Sequence, residues 1–262
     1  MTIESMRLDA KATALRRLHD DPELLVLVNV WDVISATVIA DLPGTTALAT
    51  ASHSIAASHG YPDGEKIPLD LMIAAIGRIA AAVDIPVSAD LEAGYGNAGE
   101  TVRRAIGAGI VGANLEDEMR PLPAAIEAVA AAVEAGHSEG VSFVLNARTD
   151  AFLRAGDRAP EDVLADAIER GRAFLDAGAS CVFVPGKLDR STVEGLVAGI
   201  GSLKVSVIGV PGSLSSAELA SLGVARVSFG PWAQRVALTA LADVGADLMA
   251  GGSLPPSTRL LG

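Results

Sequence analysis

Acidic side chains stand at the ends of apolar runs in this chain, and two neighbouring ends carry more than one. Asp90-Leu91-Glu92 closes one run and Glu116-Asp117 closes the next. Residues i and i+2 of a strand point to the same side, so Asp90 and Glu92 are expected to share a face that Glu116 can reach from the adjacent strand. Carboxylates gathered in this way repel one another unless a cation sits between them. Hard oxygen donors with no Cys or His beside them suit Mg²⁺, or Mn²⁺, better than Zn²⁺. The plainer reading is a helix cap with solvated acids around it, and that reading fits the single run-end acids Asp32 and Asp150. For Asp90, Glu92 and Glu116 we expect a metal site, with Arg148 at the end of the following run as the basic residue facing it.

Other candidates are few. Ser52-His53-Ser54 ends a run, which places His53 where it could contact a substrate; His19 and His137 read as surface residues and His59 as part of a polar loop. Lys187 follows the sixth run, where Schiff-base aldolases on barrels can carry their lysine, but it lies beyond the Pro185-Gly186 turn. Gly94 to Gly99 spells G-x-G-x-x-G, with Glu116 about 20 residues on, as in a dinucleotide-binding unit. Asp90 and Glu92 immediately before those glycines would repel a pyrophosphate, and the fingerprint belongs to a first strand rather than a third. An NAD-binding oxidoreductase stays as an alternative. No Ser-His-Asp arrangement is visible.

These residues need elements to hold them. Apolar runs at Leu24–Asp32, Thr46–Ser54, Ile85–Glu92, Val111–Asp117, Phe143–Asp150, Cys181–Pro185, Lys204–Gly209 and Arg226–Gly230 are bounded by Gly, Pro or polar clusters, as strands are. Helical periodicity fills the gaps, for instance over Leu69–Val83, Ala124–Ala135 and Pro160–Ala177. Pro160 with Glu161 and Asp162 makes a favourable first turn, and Gly178 supplies the left-handed stop. Eight strands alternating with helices predict an α/β fold, a (β/α)8 TIM barrel, with an open doubly wound sheet as the alternative. Ile3–His19 predicts an extra N-terminal helix over the barrel bottom. Residues 1–262 read as one domain. In such barrels the C-terminal strand ends carry the chemistry, and that is where the acids fall.

Composition narrows the partners. The chain has 262 residues and a formal net charge of −12, which disfavours nucleic acid and anionic membrane surfaces. The single cysteine, Cys181, cannot form an internal disulfide and suits a reducing compartment. Met1 to Asp20 lacks the apolar core of a signal peptide, and no uncharged apolar stretch approaches the roughly 18 residues of a membrane span. A cytoplasmic protein is expected, with no nucleic-acid or membrane partner.

A family resemblance rests on specific blocks. Asn29-Val30-Trp31-Asp32 with Ser35-Ala36, Ser52-His53-Ser54, Gly60-Tyr61-Pro62-Asp63, Asp90 through Asn97, Leu115-Glu116-Asp117 and Asn146 through Ala151 resemble the phosphoenolpyruvate mutase/isocitrate lyase superfamily. The resemblance implies a (β/α)8 barrel whose final helix is exchanged between subunits of a dimer or tetramer; here that helix would be Val236–Leu248. It implies Mg²⁺ and a small oxo-acid or phosphoenolpyruvate-like substrate processed through an enolate. By position, Asp90 resembles the direct metal ligand, Glu92 and Glu116 the acids that hold the metal's waters, and Arg148 the arginine that grips the substrate anion. Ser52 and His53 match the turn that receives the carboxylate, Gly94 falls among the substrate-binding positions, and Asp63 matches a loop acid at the active site.

The departures concern the groups that choose the reaction. The loop Asp117 to Pro123 carries neither the catalytic cysteine of isocitrate lyases nor the lysine and asparagine of mutases. Pro185 stands where mutases place a histidine, Ala49 where they have tryptophan, and Glu92 replaces the commoner second aspartate. The expectation is a lyase acting on an oxaloacetate-like acid. Phosphonomutase-type rearrangement, or a weakly catalytic dicarboxylate-binding barrel, are the alternatives.

Overall fold

Short apolar stretches between Gly- and Pro-marked turns fold into parallel strands wrapped by helices. The computed structural model describes residues 3–261; Met1, Thr2 and Gly262, the ends of the expected 1–262 unit, lie outside the described residues. The strands are β1 (Leu25–Leu27), β2 (Asn29–Val30), β3 (Leu48–Thr50), β4 (Val87–Asp90), β5 (Gly112–Glu116), β6 (Val144–Arg148), β7 (Cys181–Val184), β8 (Val205–Ile208) and β9 (Arg226–Ser228). The helices are α1 (Ile3–Asp20), α2 (Val33–Ala40), α3 (Ser52–Ser58), α4 (Leu69–Ala81), α5 (Ala98–Gly107), α6 (Leu122–Ser138), α7 (Pro160–Asp176), α8 (Arg190–Ile200), α9 (Ser216–Ser221) and α10 (Trp232–Met249).

Every strand pair is parallel. β1 and β2 are two pieces of one stave parted at Val28: β1 pairs with β9 and β2 with β3, so the sheet closes on itself. The result is the expected (β/α)8 barrel. Helix starts follow from local chemistry. Asp32 caps α2 in a capping box with Ser35, Asn97 caps α5 and Asp189 caps α8, each accepting the N–H three residues on.

α1 covers the N-terminal end of the barrel, as predicted. Lys11 Nζ donates to Val83 O at 2.9 Å and Arg16 Nη2 to Phe143 O at 3.1 Å, so its basic residues satisfy carbonyls that lead into strands. Leu15 is fully buried against the start of β5. Gly112 is required there, because a Cβ would meet Leu15 Cδ2 at 2.7 Å and Val144 O at 2.8 Å. His19 departs from expectation: it is buried, not a surface residue. Its ring bonds Leu15 O at 2.9 Å. Burial, helped by the charge of Arg226, holds it down at about 4, so the ring is neutral.

The barrel interior is polar at mid-height, which the sequence reading did not anticipate. Barrels are usually filled with branched apolar side chains. Here Arg226 is buried and donates to Ser88 Oγ and Asn114 Oδ1, both at 3.3 Å, while Asn146 Nδ2 donates to Asn114 Oδ1 at 2.8 Å and Ser206 Oγ at 3.3 Å. Burial pulls the Arg226 guanidinium down to about 10. This layer sits one pleat below the candidate site. Ser88 precedes Asp90 by two residues, Asn114 precedes Glu116, and Asn146 precedes Arg148, so each pair shares a strand face. Asn29 adds a clasp between strands: its Nδ2 donates to Thr50 O, and its Oδ1 accepts from the N–H groups of Phe229 and Gly230.

Candidate active site

Three staves, β4, β5 and β6, deliver the acids and the arginine to one rim. Asp90 is the last residue of β4. Its Oδ2 accepts from Ser52 Oγ at 2.7 Å and Ser52 N at 3.3 Å, and its own N–H donates to Thr50 Oγ1 at 3.1 Å. Ser52, expected to bind substrate, thus has both its N–H and its hydroxyl engaged in fixing Asp90. Ser52-His53-Ser54 was expected to close a strand; β3 stops at Thr50 and these residues open α3 instead.

Glu92 reaches the site by a different route from the one its spacing suggests. β4 ends at Asp90, and Glu92 lies beyond it at φ +51°, a left-handed conformation that a non-glycine residue adopts rarely. A lock holds it there. Tyr95 Oη donates to Glu92 Oε1 at 3.2 Å, the N–H of Glu65 donates to Glu92 Oε2, and Tyr95 N donates to Glu65 Oε1 at 2.6 Å. Glu65 and Tyr95 are left-handed too, at φ +58° and +51°. Strain of this kind persists only where surroundings over-determine it, and it gathers at functional sites. Burial is the main force pushing Glu92 up to about 7, with Asp90 and Asp63 adding repulsion against the Glu65 amide.

Glu116 and Arg148 face each other in register across β5 and β6. Arg148 Nη1 meets Glu116 Oε2 at 2.7 Å and its Nε donates to Asp150 Oδ1 at 2.7 Å. Burial pushes Glu116 up to about 8; Arg148 opposes this, while Asp90, Asp150 and Glu92 reinforce it. For Arg148 burial works against the charged form, but Glu116, Asp150 and Asp90 hold the guanidinium above its ordinary value. The acids outnumber the positive charge available to them.

Asp117 turns out to be structural. Buried, it accepts from Met119 N at 2.9 Å and Asp150 N at 3.0 Å, and it pairs with Arg170 at 3.1 Å. Arg120 Nη2 donates to Glu116 O at 2.9 Å. The short loop after β5 is therefore tied to the barrel body by its own charged residues.

His53 and Asp63 meet at the rim: His53 Nδ1 and Asp63 Oδ2 are 3.2 Å apart. Gly94, expected at the substrate, serves the turn. Its N–H donates to Leu91 O, its carbonyl accepts from Thr101 Oγ1, and a Cβ there would meet Ala98 Cα at 2.8 Å. With Tyr95 N held by Glu65 and Asn97 N by Gly94 O, these amides are engaged within the protein and do not form a pyrophosphate cradle.

Asp90, Glu92 and Glu116 come to one rim without forming a direct cage: among the described residues no three His, Cys, Asp or Glu side chains are placed to ligate a single ion. The donor set still fits a hard divalent cation. All three donors are carboxylate oxygens, Asp90 Oδ1 accepts no hydrogen bond from the described residues, and both glutamates are shifted toward the protonated state by burial first, with the neighbouring acids adding to it. Mg²⁺ takes one or two carboxylates directly and keeps several waters.

Glu65, Tyr95, Asn114, Asn146 and Arg226 were missed from the sequence. Asn114 and Asn146 could have been found by stepping back two residues from Glu116 and Arg148 along their strands; Arg226, on β9, could not. The Glu65 lock leaves no such trace, because it joins two loops. A groove of about 750 Å³ lies at the opposite end of the barrel, lined by Arg7, Lys11, Asp84 and Glu139 among others, far from these groups. No described helix is long and apolar enough to cross a membrane.

A closed parallel barrel with an acid-rich C-terminal rim faced by an arginine is the architecture of a barrel enzyme. The phosphoenolpyruvate phosphomutase family profile matches residues 15–249. A provisionally named phosphonomutase of Burkholderia cenocepacia J2315 superposes with a TM-score of 0.85 at 39% identity, over 94% of this chain and 100% of that one. The 2,3-dimethylmalate lyase of Eubacterium barkeri is 29% identical over 230 residues, covering 81% of this chain and 77% of its own. Oxaloacetate acetylhydrolase, solved with its product oxalate, superposes with a TM-score of 0.84 at 26% identity, over 95% of this chain and 91% of that one. The chain belongs to the phosphoenolpyruvate mutase/isocitrate lyase superfamily, whose members are lyases and mutases that are generally metal-dependent.

Proposed function

We propose that this protein is an Mg²⁺-dependent lyase that cleaves a C–C bond beside the oxo-acid unit of a small oxaloacetate-like substrate. One observation carries the reading: Arg148 is anchored at two corners by Glu116 and Asp150 and stands beside Asp90, with its remaining edge available. A guanidinium so held grips a carboxylate as a fork. Asp90 would hold the ion directly, with Glu92 and Glu116 on its waters; Mn²⁺ would serve as a substitute. When bound, the ion supplies Lewis-acid stabilisation of negative charge on oxygen. Ser52 and Thr50 fix Asp90, and the Glu65–Tyr95 lock fixes Glu92, so the charge pattern is set before substrate arrives. The comparison proteins named for oxaloacetate and dimethylmalate agree in substrate class.

The test is a metal-dependence screen. Oxaloacetate-type acids should turn over with Mg²⁺ and stop with chelator, while phosphonopyruvate followed by ³¹P NMR stays unchanged. Interconversion of phosphonopyruvate and phosphoenolpyruvate would replace this reading with the mutase one. A binding-only barrel is favoured by one observation, the tied loop after β5, which carries no cysteine or lysine, and it predicts ligand binding with no turnover.

Assembly belongs to the same proposal. α10 is anchored near its start by Gln234, whose Nε2 donates to Ser54 O at 3.1 Å and Ser58 Oγ at 3.0 Å. Further along, Val236 is 68%, Leu241 64% and Met249 91% exposed. A large apolar face of this kind marks an interaction surface. We expect it to pack on a second copy, giving a dimer or tetramer. Sedimentation at micromolar concentration should show the oligomer, and truncation before Val236 should give monomers or aggregates. A wild-type monomer would refute the assignment.

A further inference from the structure

We propose that His53 and Asp63 form the proton-transfer pair of this site, with His53 exchanging a proton with the substrate carbon and Asp63 positioning the ring. The inference rests on the enolate reading above. When the C–C bond breaks, its electron pair becomes the C=C of the enolate and the cleaved fragment leaves. The enolate carbon then takes a proton from the His53 imidazolium, which is reloaded from water. In reverse, the C–H pair becomes the enolate C=C and the proton passes to His53. The ion contributes charge stabilisation, and the proton is exchanged with a side chain.

Of the rim acids, Glu92 is locked by Glu65 and Tyr95 and Glu116 is paired with Arg148, and the other candidates for that side chain fall away one by one. The loop after β5 offers Asp117, Glu118 and Arg120: Asp117 and Arg120 are engaged in holding the loop, and Glu118 turns outward to Arg154 at 3.9 Å. Pro185 has no proton to give. Cys181 is buried in the barrel wall, and burial pushes its thiol up to about 12. Lys187 packs on Gly212, beyond the rim. His19 is buried in the last turn of α1, at the far end of the barrel. His137 lies in the last turn of α6, away from the C-terminal strand ends, and the His59 ring bonds Ile55 O within its own helix turn. His53 is the described histidine that follows the C-terminal end of a strand directly, one residue after the Ser52 that touches Asp90.

The geometry suits proton transfer. Asp63 is the one hydrogen-bond partner of the His53 ring among the described residues, and it takes Nδ1. That fixes the tautomer and leaves Nε2 free to work, the arrangement by which a carboxylate orients a histidine as an acid or base. At 41% and 51% side-chain exposure the two are open to water for reloading. Asp63 is also held: two residues on, Glu65 ties the same loop to Glu92 and Tyr95.

The test follows hydrogen exchange at the methyl group of pyruvate in D₂O by NMR, in wild type, His53→Gln, His53→Ala and Asp63→Asn, each with Mg²⁺. Oxalate affinity is measured beside it. His53→Gln should slow exchange by about a hundredfold while oxalate affinity stays within about threefold of wild type, since Gln keeps the backbone amide and much of the volume. Added imidazole should restore part of the exchange in His53→Ala, which a merely structural residue would not allow. Asp63→Asn should slow exchange by about tenfold at unchanged oxalate affinity. Exchange in His53→Gln within threefold of wild type overturns the pair, as does a wild type that binds oxalate yet exchanges nothing. A wild type that neither binds oxalate nor exchanges overturns the enolate reading and the pair with it.

Discussion

Replacing Arg148 with lysine weakens oxalate binding in Mg²⁺ by about ten- to a hundredfold, a loss of roughly 1.5–3 kcal/mol, while Mg²⁺ binding changes little. Oxalate is the probe because it has the shape and charge of a pyruvate enolate. The structure supplies the reason. Arg148 Nη1 and Nε are already committed to Glu116 and Asp150, at 2.7 Å each, so the guanidinium is aimed before any ligand arrives. A lysine ammonium is a point charge on a flexible stem. It can replace one of those anchors, but it cannot keep both and still present a second edge to a carboxylate. The charge is retained, so Glu116 keeps a partner and the acids that would hold the ion are little disturbed. Isothermal titration separates the two effects. Oxalate bound as tightly by Arg148→Lys as by wild type would make Arg148 a structural residue and remove the observation on which the lyase proposal stands.

Replacing Asp90 with alanine removes most of the thermal stabilisation that Mg²⁺ gives the wild type. At about 100 times its Kd, a ligand that binds only the folded state adds about 2.7 kcal/mol. Asp90 keeps one oxygen free, because Ser52 engages Oδ2 alone. Asp90→Asn is the shape control: it keeps an acceptor for Ser52 and loses the charge, so it should fold like wild type and still fail to respond to Mg²⁺. An Asp90→Asn protein that gains as much from Mg²⁺ as wild type would sink the metal assignment. The response also depends on pH. Glu92 and Glu116 stand at about 7 and about 8 in the folded, metal-free chain, against about 4.3 when unfolded. Both are raised, so their contribution to stability is complete below about pH 4 and is lost as pH rises through 7 and 8. The metal-free protein should therefore weaken from pH 6 to pH 9. A divalent ion that neutralises the excess charge opposes this, and the Mg²⁺-induced rise in Tm should be larger at pH 9 than at pH 6.

The architecture was legible in the sequence because its signals are local and repeat. Eight apolar runs with glycine- or proline-marked ends, and helices such as α7 opened by Pro160 and the acids after it, need no knowledge of distant residues. The barrel and the plug helix α1 followed from them. Asp90, Glu116 and Arg148 were placed correctly at strand ends for the same reason, since a strand carries its last side chain to the rim whatever lies around it. Glu92 was assigned to the rim for a reason that does not hold: the pleat argument needs the strand to continue, and β4 stops at Asp90. What brings Glu92 in is a left-handed turn locked by Glu65 and Tyr95, a contact between loops 27 residues apart. The pairing of His53 with Asp63, the engagement of Ser52 with Asp90 and the buried Arg226 layer belong to the same class. Each is a hydrogen bond between side chains, or between a side chain and backbone, on different elements, decided by which atoms the closed barrel leaves within 3 Å or so of one another. Residue types and periodicity determined the scaffold and the charges at its rim. Closure of the barrel decided which of those charges face each other, because only then do loops from separate strands share one small space.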